Sequence, residues 1–180
     1  LFPYGEPKNY PSPSALEVSA LRDRLGIKEG ERVVLTVARL DPMKAQDVVI
    51  HALKRVIRRI PEAKLVLVGN GSFSASKGGI GLNKAELWLQ YLWKVVNELG
   101  LLDKVVFAGY LNERELAAAY AMSEVFVLPS IREGFGLVVV EAWLYKKPVI
   151  VSSYAGVSDL ISEGRNGLTF DPIDKEILAK

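Results

Sequence analysis

The chain contains no cysteine, a single histidine (His51) and only two methionines. Without cysteine it can form no disulfide framework, no cysteine-based zinc site and no thiol nucleophile, and one histidine excludes a multi-histidine metal site. The chain also has little excess of either charge, because its 23 Lys and Arg residues and 21 Asp and Glu residues give a net charge of only +2. Nucleic-acid binding needs a larger and more clustered positive excess, so we expect no nucleic-acid partner.

Long apolar runs are absent as well. No apolar stretch approaches the roughly 18–20 residues that a membrane-spanning helix needs, so we expect no transmembrane segment. The first 13 residues have neither a basic nor an apolar region of a signal peptide. We therefore expect a cytoplasmic protein. Peripheral association of the full-length protein with a membrane is the alternative. The scarcity of Cys and Met is also typical of thermophile proteins.

Length and composition indicate one globular domain. The chain has 180 residues, 49% of them apolar and 24% charged, which is enough to bury a core. Prolines crowd its first residues, so we predict a linker at 1–14 and one domain at 15–180. The missing initial Met, and an end inside a helix expected from Asp174, indicate truncation at both ends of a longer protein.

Short Val-rich runs alternate with amphipathic segments along the domain. Such runs are typical of parallel strands buried on both faces, and every crossover between them is long enough for a helix. The pattern therefore predicts an α/β fold with a doubly wound parallel sheet of about six strands. The predicted strands are 32–38, 64–69, 105–108, 125–128, 148–152 and 167–170. The predicted helices are 46–60, 84–99, 112–120, 136–145 and 155–162, and a Gly/Ser-rich loop is predicted at 72–83.

Two cations follow the first predicted strand. In an open parallel sheet, ligands bind beyond the carboxyl ends of the strands, and Arg39 and Lys44 lie at such an end. A guanidinium together with an ammonium suits a diphosphate. The alternative is that Arg39 pairs with Asp41 while Lys44 is solvated at a helix start, where its charge opposes the helix dipole.

A second candidate precedes the predicted helix 136–145. The sequence Glu133-Gly134-Phe135-Gly136 leads directly into it, and a helix N-terminus offers free N–H groups and partial positive charge. The two glycines remove side chains that would cover these groups. The segment therefore suits a diphosphate or the sugar hydroxyls beside one, although turns also use glycine for conformation alone.

Two further side chains leave alternatives open. Glu141 stands in the otherwise apolar stretch 138–143, so it needs either a partner or a function unless it lies at the edge of the buried face. Tyr110 follows the third predicted strand, where its ring either stacks on a base or packs on the protein. The chain has only His51 as a histidine, and its place on the first predicted helix, away from the strand ends, indicates a structural role.

Five motifs in order resemble the C-terminal half of retaining glycosyltransferases of the GT-B fold, family 4. This is the glycogen-synthase-like and sucrose-phosphate-synthase-like group, and the resemblance covers nearly the whole chain. The Glu-x7-Glu element from Glu133 to Glu141 is its signature. The motifs are VARLDPMK (37–44), LVLVGNG (65–71), VVFAGYL (105–111), VFVLPSIREGFGLVVVEAWLYKKPVIVS (125–152) and EGRNGLTF (163–170).

The resemblance implies a Rossmann-like domain that binds the nucleotide-sugar donor. Arg39 and Lys44 would neutralise the diphosphate, and Glu133 would hydrogen-bond the transferred sugar near its 3-hydroxyl as a positioning group. No metal or further cofactor is implied, and the sequence has no Asp-x-Asp motif. The family retains anomeric configuration by same-face attack, with the leaving phosphate accepting the acceptor's proton.

The resemblance also assigns the rest of the donor site. The backbone of Gly134, Phe135 and Gly136 would hold sugar hydroxyls. N–H groups of Leu137 and Val138 would meet the phosphates. The remaining implied contacts are Glu141 with the ribose hydroxyls, the backbone at Tyr110 and Leu111 with the base edge, and Gly69 as a point of close approach.

The implied activity is transfer of a hexose, with UDP-glucose the first donor and GDP-mannose or ADP-glucose the next. An N-terminal acceptor domain, absent from this sequence, is the implied partner, so we expect this chain to bind nucleotide without transferring sugar. The alternative is a non-catalytic nucleotide- or sugar-binding module of the same fold. Two departures stand out: Ala45 replaces the usual glycine after Lys44, and the loop 72–83 is longer than usual.

Overall fold

Six parallel strands form a single sheet in the computed structural model, which describes residues 10–71, 80–173 and 178. The strands are β1 (Arg32–Val37), β2 (Ala63–Val68), β3 (Val105–Gly109), β4 (Ser123–Leu128), β5 (Val149–Ser152) and β6 (Leu168–Phe170). Their order in the sheet is β3-β2-β1-β4-β5-β6, so the chain reverses direction across the sheet between β1 and β4. This is the doubly wound Rossmann-like order, and it confirms the predicted fold class.

Helices cover both faces of the sheet. They are α1 (Ala15–Arg24), α2 (Gln46–Val56), α3 (Ile80–Glu98), α4 (Glu113–Met122) and α5 (Leu137–Leu144), with short 3-10 helices at Pro42–Lys44 and Gly156–Leu160. One hydrophobic cluster joins the sheet to α1, α4 and α5 through Leu21, Ala118 and Val139, and the other joins it to α2 and α3 through Val49 and Leu92. The described residues include no helix with the length and apolarity of a membrane span.

Some predicted boundaries were wrong. Helix α1 was not predicted; it begins at Ala15 after a capping box formed by Ser14 and Glu17, but only its Leu21 is buried, so no apolar stripe announces it. Helix α3 begins at Ile80, which places 80–83 in a helix where a loop was predicted. The other predicted loop residues, 72–79, lie outside the described residues, as does all but residue 178 of the helix expected from Asp174 to the end of the sequence.

A partly buried ion pair links Lys64 of β2 to Glu31, which precedes β1. Lys64 Nζ lies 3.1 Å from a Glu31 carboxylate oxygen and 2.9 Å from the Gly26 carbonyl oxygen. Burial alone would raise the pKa of Glu31, but the hydrogen bond from the Lys28 N–H and the Lys64 charge together hold that pKa below its usual value. Because the pKa is lower in the folded state, the ionised carboxylate stabilises the fold above the unfolded pKa, and this is lost as pH falls.

Glu31→Gln is therefore expected to lower the free energy of unfolding by about 1–2 kcal/mol at pH 7. The difference from wild type should shrink as pH falls below the ordinary range of a glutamate pKa, because the wild-type carboxylate then takes up its proton. Urea denaturation at several pH values measures this, with the exposed Glu29→Gln as the charge-matched control. A loss that persists undiminished at low pH would contradict the ion-pair explanation.

Candidate functional site

The site forms where the loops after β1 and β4 meet. Asp41 begins the short 3-10 helix Pro42–Lys44 by accepting a 2.8 Å hydrogen bond from the Met43 N–H. The Met43 carbonyl in turn accepts a 2.9 Å hydrogen bond from the Ile131 N–H of the β4 loop. These contacts hold the two loops side by side at the point where the strand order reverses, which is the usual ligand crevice of this fold.

Lys44 and Glu133 form an ion pair at this junction. The Lys44 Nζ donates a 2.7 Å hydrogen bond to Glu133 Oε2, and the side chains are only 12% and 19% exposed. Ser130 Oγ lies 3.3 Å from the same carboxylate oxygen. The alternative of a solvated Lys44 is therefore wrong. The resemblance implies that these two residues contact different parts of a ligand, the phosphate and the sugar, and the structure brings them into direct contact.

Arg39 lies on the exposed side of the β1 loop. Burial alone would raise the pKa of Asp41, but the Met43 N–H, Lys84 at 3.3 Å and the charge of Arg39 together hold it below its usual value. The alternative association of Arg39 with Asp41 thus has electrostatic support. It does not compete with anion binding, because a guanidinium has five donors to share.

A hydrogen-bond chain that the sequence did not reveal supports the same loop. Trp88 Nε1 donates to Gln46 Oε1 at 2.8 Å, and Gln46 Nε2 donates to the Arg39 carbonyl at 2.7 Å. Gln46 is 1% exposed, so its amide is fixed by these two contacts. The β1 loop is therefore tied to both α2 and α3 behind the site.

Glycines shape the segment that enters α5. Gly136 has φ +97°, a conformation that favours glycine, and a Cβ there would lie 3.0 Å from Leu128. A Cβ on Gly156 would lie 2.2 Å from the Gly134 carbonyl oxygen, while a Cβ on Gly134 would meet nothing within 4 Å. Gly156 thus admits the backbone of the Glu133–Gly136 segment, a role that the sequence analysis did not assign. Gly134 borders open space.

The N-terminus of α5 completes this side of the site. Gly136 is its N-cap and supplies no side-chain hydrogen bond to the first turn. Helix N-termini carry partial positive charge on their N–H groups, here those of Leu137 and Val138. The helix therefore adds an anion-binding element within a few residues of Glu133 and its partner Lys44.

Glu141 has a buried partner. Its Oε2 accepts a 2.8 Å hydrogen bond from the Tyr120 hydroxyl of α4, and Tyr120 is 1% exposed. Burial, followed by the charge of Glu141, raises the pKa of Tyr120 well above its usual value. The carboxylate in the apolar stretch is thus held by a specific donor, which the sequence analysis did not identify.

The remaining predicted residues lie at the ends of β2 and β3. Gly69 has φ +133°, and a Cβ there would lie 2.0 Å from the Ala38 carbonyl oxygen, so the close approach is to the chain's own backbone. The Tyr110 side chain is 70% exposed, so its ring does not pack in the core, whereas Leu111 is buried. Gly69 N–H donates to the Gly109 carbonyl at 2.8 Å, which brings the two strand ends together.

Ala45 adopts the left-handed conformation, with φ 49° and ψ 41°, and is 1% exposed. This is a conformation in which glycine is favoured, so the departure from the family's glycine occurs at a turn suited to one. The turn nevertheless closes and α2 begins at the next residue. The buried methyl group packs in the cluster beneath α2 and offsets part of the conformational cost.

Comparison with known proteins is consistent with this geometry. Residues 17–180 match the family Glycosyl transferases group 1. Mannosylfructose-phosphate synthase of Agrobacterium fabrum is 37% identical over 159 residues, which are 88% of this chain and 33% of that protein.

Two solved structures resemble the fold. Anabaena HepE, crystallised with UDP-glucose, aligns with a TM-score of 0.77 and 29% identity over 92% of this chain and 42% of HepE. Sucrose-phosphate synthase of Thermosynechococcus elongatus aligns with a TM-score of 0.69 and 31% identity over 97% of this chain and 42% of that protein. The chain thus spans between about a third and two fifths of the proteins that it resembles. It belongs to the glycosyl transferases group 1 family.

Proposed function

We propose that this domain binds the nucleoside diphosphate sugar donor of a retaining GT-B glycosyltransferase of family 4. The observation that carries the proposal is the Lys44–Glu133 ion pair beside the N-terminus of α5. A cation, a carboxylate and free helix N–H groups meet there at the strand-order reversal. These are the groups that a diphosphate linked to a sugar needs, and HepE, a relative of the same fold, was crystallised with UDP-glucose.

The diphosphate would lie between the β1 loop and α5. Arg39 and Lys44 supply cations, and the N–H groups of Leu137 and Val138 supply the positive end of a helix. Cleavage of the sugar–phosphate bond leaves negative charge on the departing phosphate. Groups fixed in advance around that phosphate stabilise the charge where it develops, which is the main source of catalysis that this half of the site offers.

The sugar would lie against the segment from Glu133 to Gly136. Glu133 would accept a hydrogen bond from a sugar hydroxyl, and its contact with Lys44 would place that hydroxyl beside the phosphate. Gly134 borders open space, so its backbone and that of Phe135 and Gly136 are accessible to other hydroxyls. In this role Glu133 positions the sugar, and the leaving phosphate accepts the acceptor's proton during same-face attack.

The nucleoside would extend toward β3. Glu141 would accept hydrogen bonds from the ribose hydroxyls, and the backbone at Tyr110 and Leu111, next to Gly69, would contact the base edge. Glucose from UDP-glucose is the donor we propose first, with GDP-mannose and ADP-glucose next. An N-terminal domain of the full-length protein would bind the acceptor, so the chain described by this sequence is expected to bind nucleotide without transferring the sugar.

Calorimetric titration with UDP, GDP and ADP tests the proposal. One nucleotide is expected to bind. Arg39→Ala and Glu141→Ala should each lower the affinity for that nucleotide by about tenfold or more, because each substitution removes one charge-assisted contact. Arg58→Ala, at an exposed residue beyond α2, is the control and should bind normally. No binding at millimolar nucleotide in this chain and in the full-length protein would refute a donor site.

A further inference from the structure

One buried contact ties the candidate site to a helix that no sequence motif includes. The Tyr120 hydroxyl on α4 lies 2.8 Å from Glu141 Oε2 and 3.3 Å from the Val138 carbonyl oxygen. Both acceptors belong to α5, the helix whose N-terminus borders the site. Tyr120 is 1% exposed, so water does not compete for its hydroxyl. The hydroxyl is therefore a dedicated donor to this part of α5.

The ring of Tyr120 is held on two sides. It stacks on Tyr145 with a centroid distance of 5.3 Å and an interplanar angle of 7°, and it packs at 5.8 Å from Phe126 of β4. Tyr145 is anchored in turn, because its hydroxyl donates a 2.8 Å hydrogen bond to the Pro11 carbonyl. The position of the phenol oxygen is thus fixed, and the Glu141 side chain that it binds is oriented by a rigid group.

The chemistry of the pair also favours a fixed carboxylate. The pKa of Tyr120 is raised by its burial and by the Glu141 charge, so the phenol keeps its proton at neutral pH and remains a donor. A carboxylate has about four acceptor sites on two oxygens, so the hydrogen bond from Tyr120 does not by itself prevent the carboxylate from accepting hydrogen bonds from two vicinal hydroxyls. A glutamate side chain that is already ordered before the ligand binds loses less conformational entropy on binding.

We propose that Tyr120 is a positioning residue for the ribose subsite, orienting the Glu141 carboxylate toward the 2′- and 3′-hydroxyls of the bound nucleotide. This proposal rests on the proposed function, in which Glu141 binds the ribose. It adds a residue from α4, outside the Glu-x7-Glu element, that touches no ligand itself. Its effect should be confined to the ribose hydroxyls and leave the diphosphate contacts intact.

The test compares the ribonucleotide that binds with its 2′,3′-dideoxy counterpart, which lacks both ribose hydroxyls. In calorimetric titrations of the full chain, the wild type is expected to prefer the ribonucleotide. Tyr120→Phe removes one oxygen and keeps the ring, and should weaken binding of the ribonucleotide about tenfold while changing that of the dideoxynucleotide less than about twofold. Tyr91→Phe is the matched control, since it removes the hydroxyl of an exposed tyrosine on α3 and should keep the wild-type preference.

The outcomes separate the two levels of the proposal. If Tyr120→Phe weakens both nucleotides equally or not at all while Glu141→Gln removes the ribose preference, Tyr120 is not a positioning residue. If Glu141→Gln leaves nucleotide binding and ribose preference unchanged, the ribose assignment of Glu141 fails and the positioning role fails with it. Because the measurement is a ratio of affinities, a general loss of stability in Tyr120→Phe cannot imitate the expected result.

Discussion

Replacing Gly69 with alanine is expected to lower the free energy of unfolding by more than about 3 kcal/mol. Gly69 has φ +133°, which L-residues rarely adopt, and an added Cβ would lie 2.0 Å from the Ala38 carbonyl oxygen and 2.8 Å from its carbon. Those are backbone atoms next to β1, so no side-chain rotation relieves the overlap. Relief requires the ends of β1 and β2 to separate at the centre of the sheet.

Urea denaturation followed by circular dichroism measures this loss. Gly30→Ala is the matched control, because Gly30 also has a positive φ, +81°, but a Cβ there meets nothing within 4 Å. It should cost only the conformational penalty of about 1–2 kcal/mol. If the two substitutions lower the free energy of unfolding equally, the contact with Ala38 is not rigid. The conformational freedom of Gly69 would then serve the site alone.

Replacing Lys44 with methionine is expected to weaken binding of the nucleoside diphosphate about 30- to 100-fold. The substitution removes a cation from the proposed diphosphate site. It also leaves the Glu133 carboxylate, now without its 2.7 Å partner, close to the incoming negative charge. Loss of attraction and gain of repulsion act in the same direction, so the effect should exceed that of an ordinary surface cation.

A double-substitution cycle separates these two causes. Glu133→Gln alone should bind the nucleoside diphosphate at least as well as wild type, because the carboxylate no longer competes for Lys44. The double variant should bind better than Lys44→Met alone, since the repulsive charge is gone. Lys94→Met, an exposed residue of α3, is the control. A double variant that binds worse than Lys44→Met would contradict the idea that the pair shares one electrostatic site.

The sheet could be predicted because parallel strands are buried on both faces. All six residues of β2 are buried, and such strands read as continuous apolar runs between helical segments. Helix α1 could not be found in this way, because it buries only Leu21 and has no apolar stripe. The start of α3 was missed because the glycine- and serine-rich sequence that precedes it favours a loop.

The candidate site was located from the strand ends, but its contacts were not. Arg39, Lys44 and Glu133 follow strands whose carboxyl ends meet, so topology alone brings them together. That Lys44 pairs with Glu133, 89 residues away, and that Tyr120 holds Glu141, depends on the register of helices packed on the sheet. Gly156 is a similar case, because only the folded structure places the Gly134 carbonyl oxygen next to it. These contacts could not be inferred from the spacing of the residues in the sequence.

In the proposed function, a nucleoside diphosphate binds between the β1 loop and the N-terminus of α5. The most direct test titrates isotope-labelled protein with UDP, GDP and ADP and follows the backbone amide resonances. One nucleotide is expected to shift the amide resonances of Leu137 and Val138 most, and those of the β1 loop next. Shifts that avoid these residues and cluster at another face, such as the apolar cavity lined by Val49, Leu53 and Val125, would contradict it.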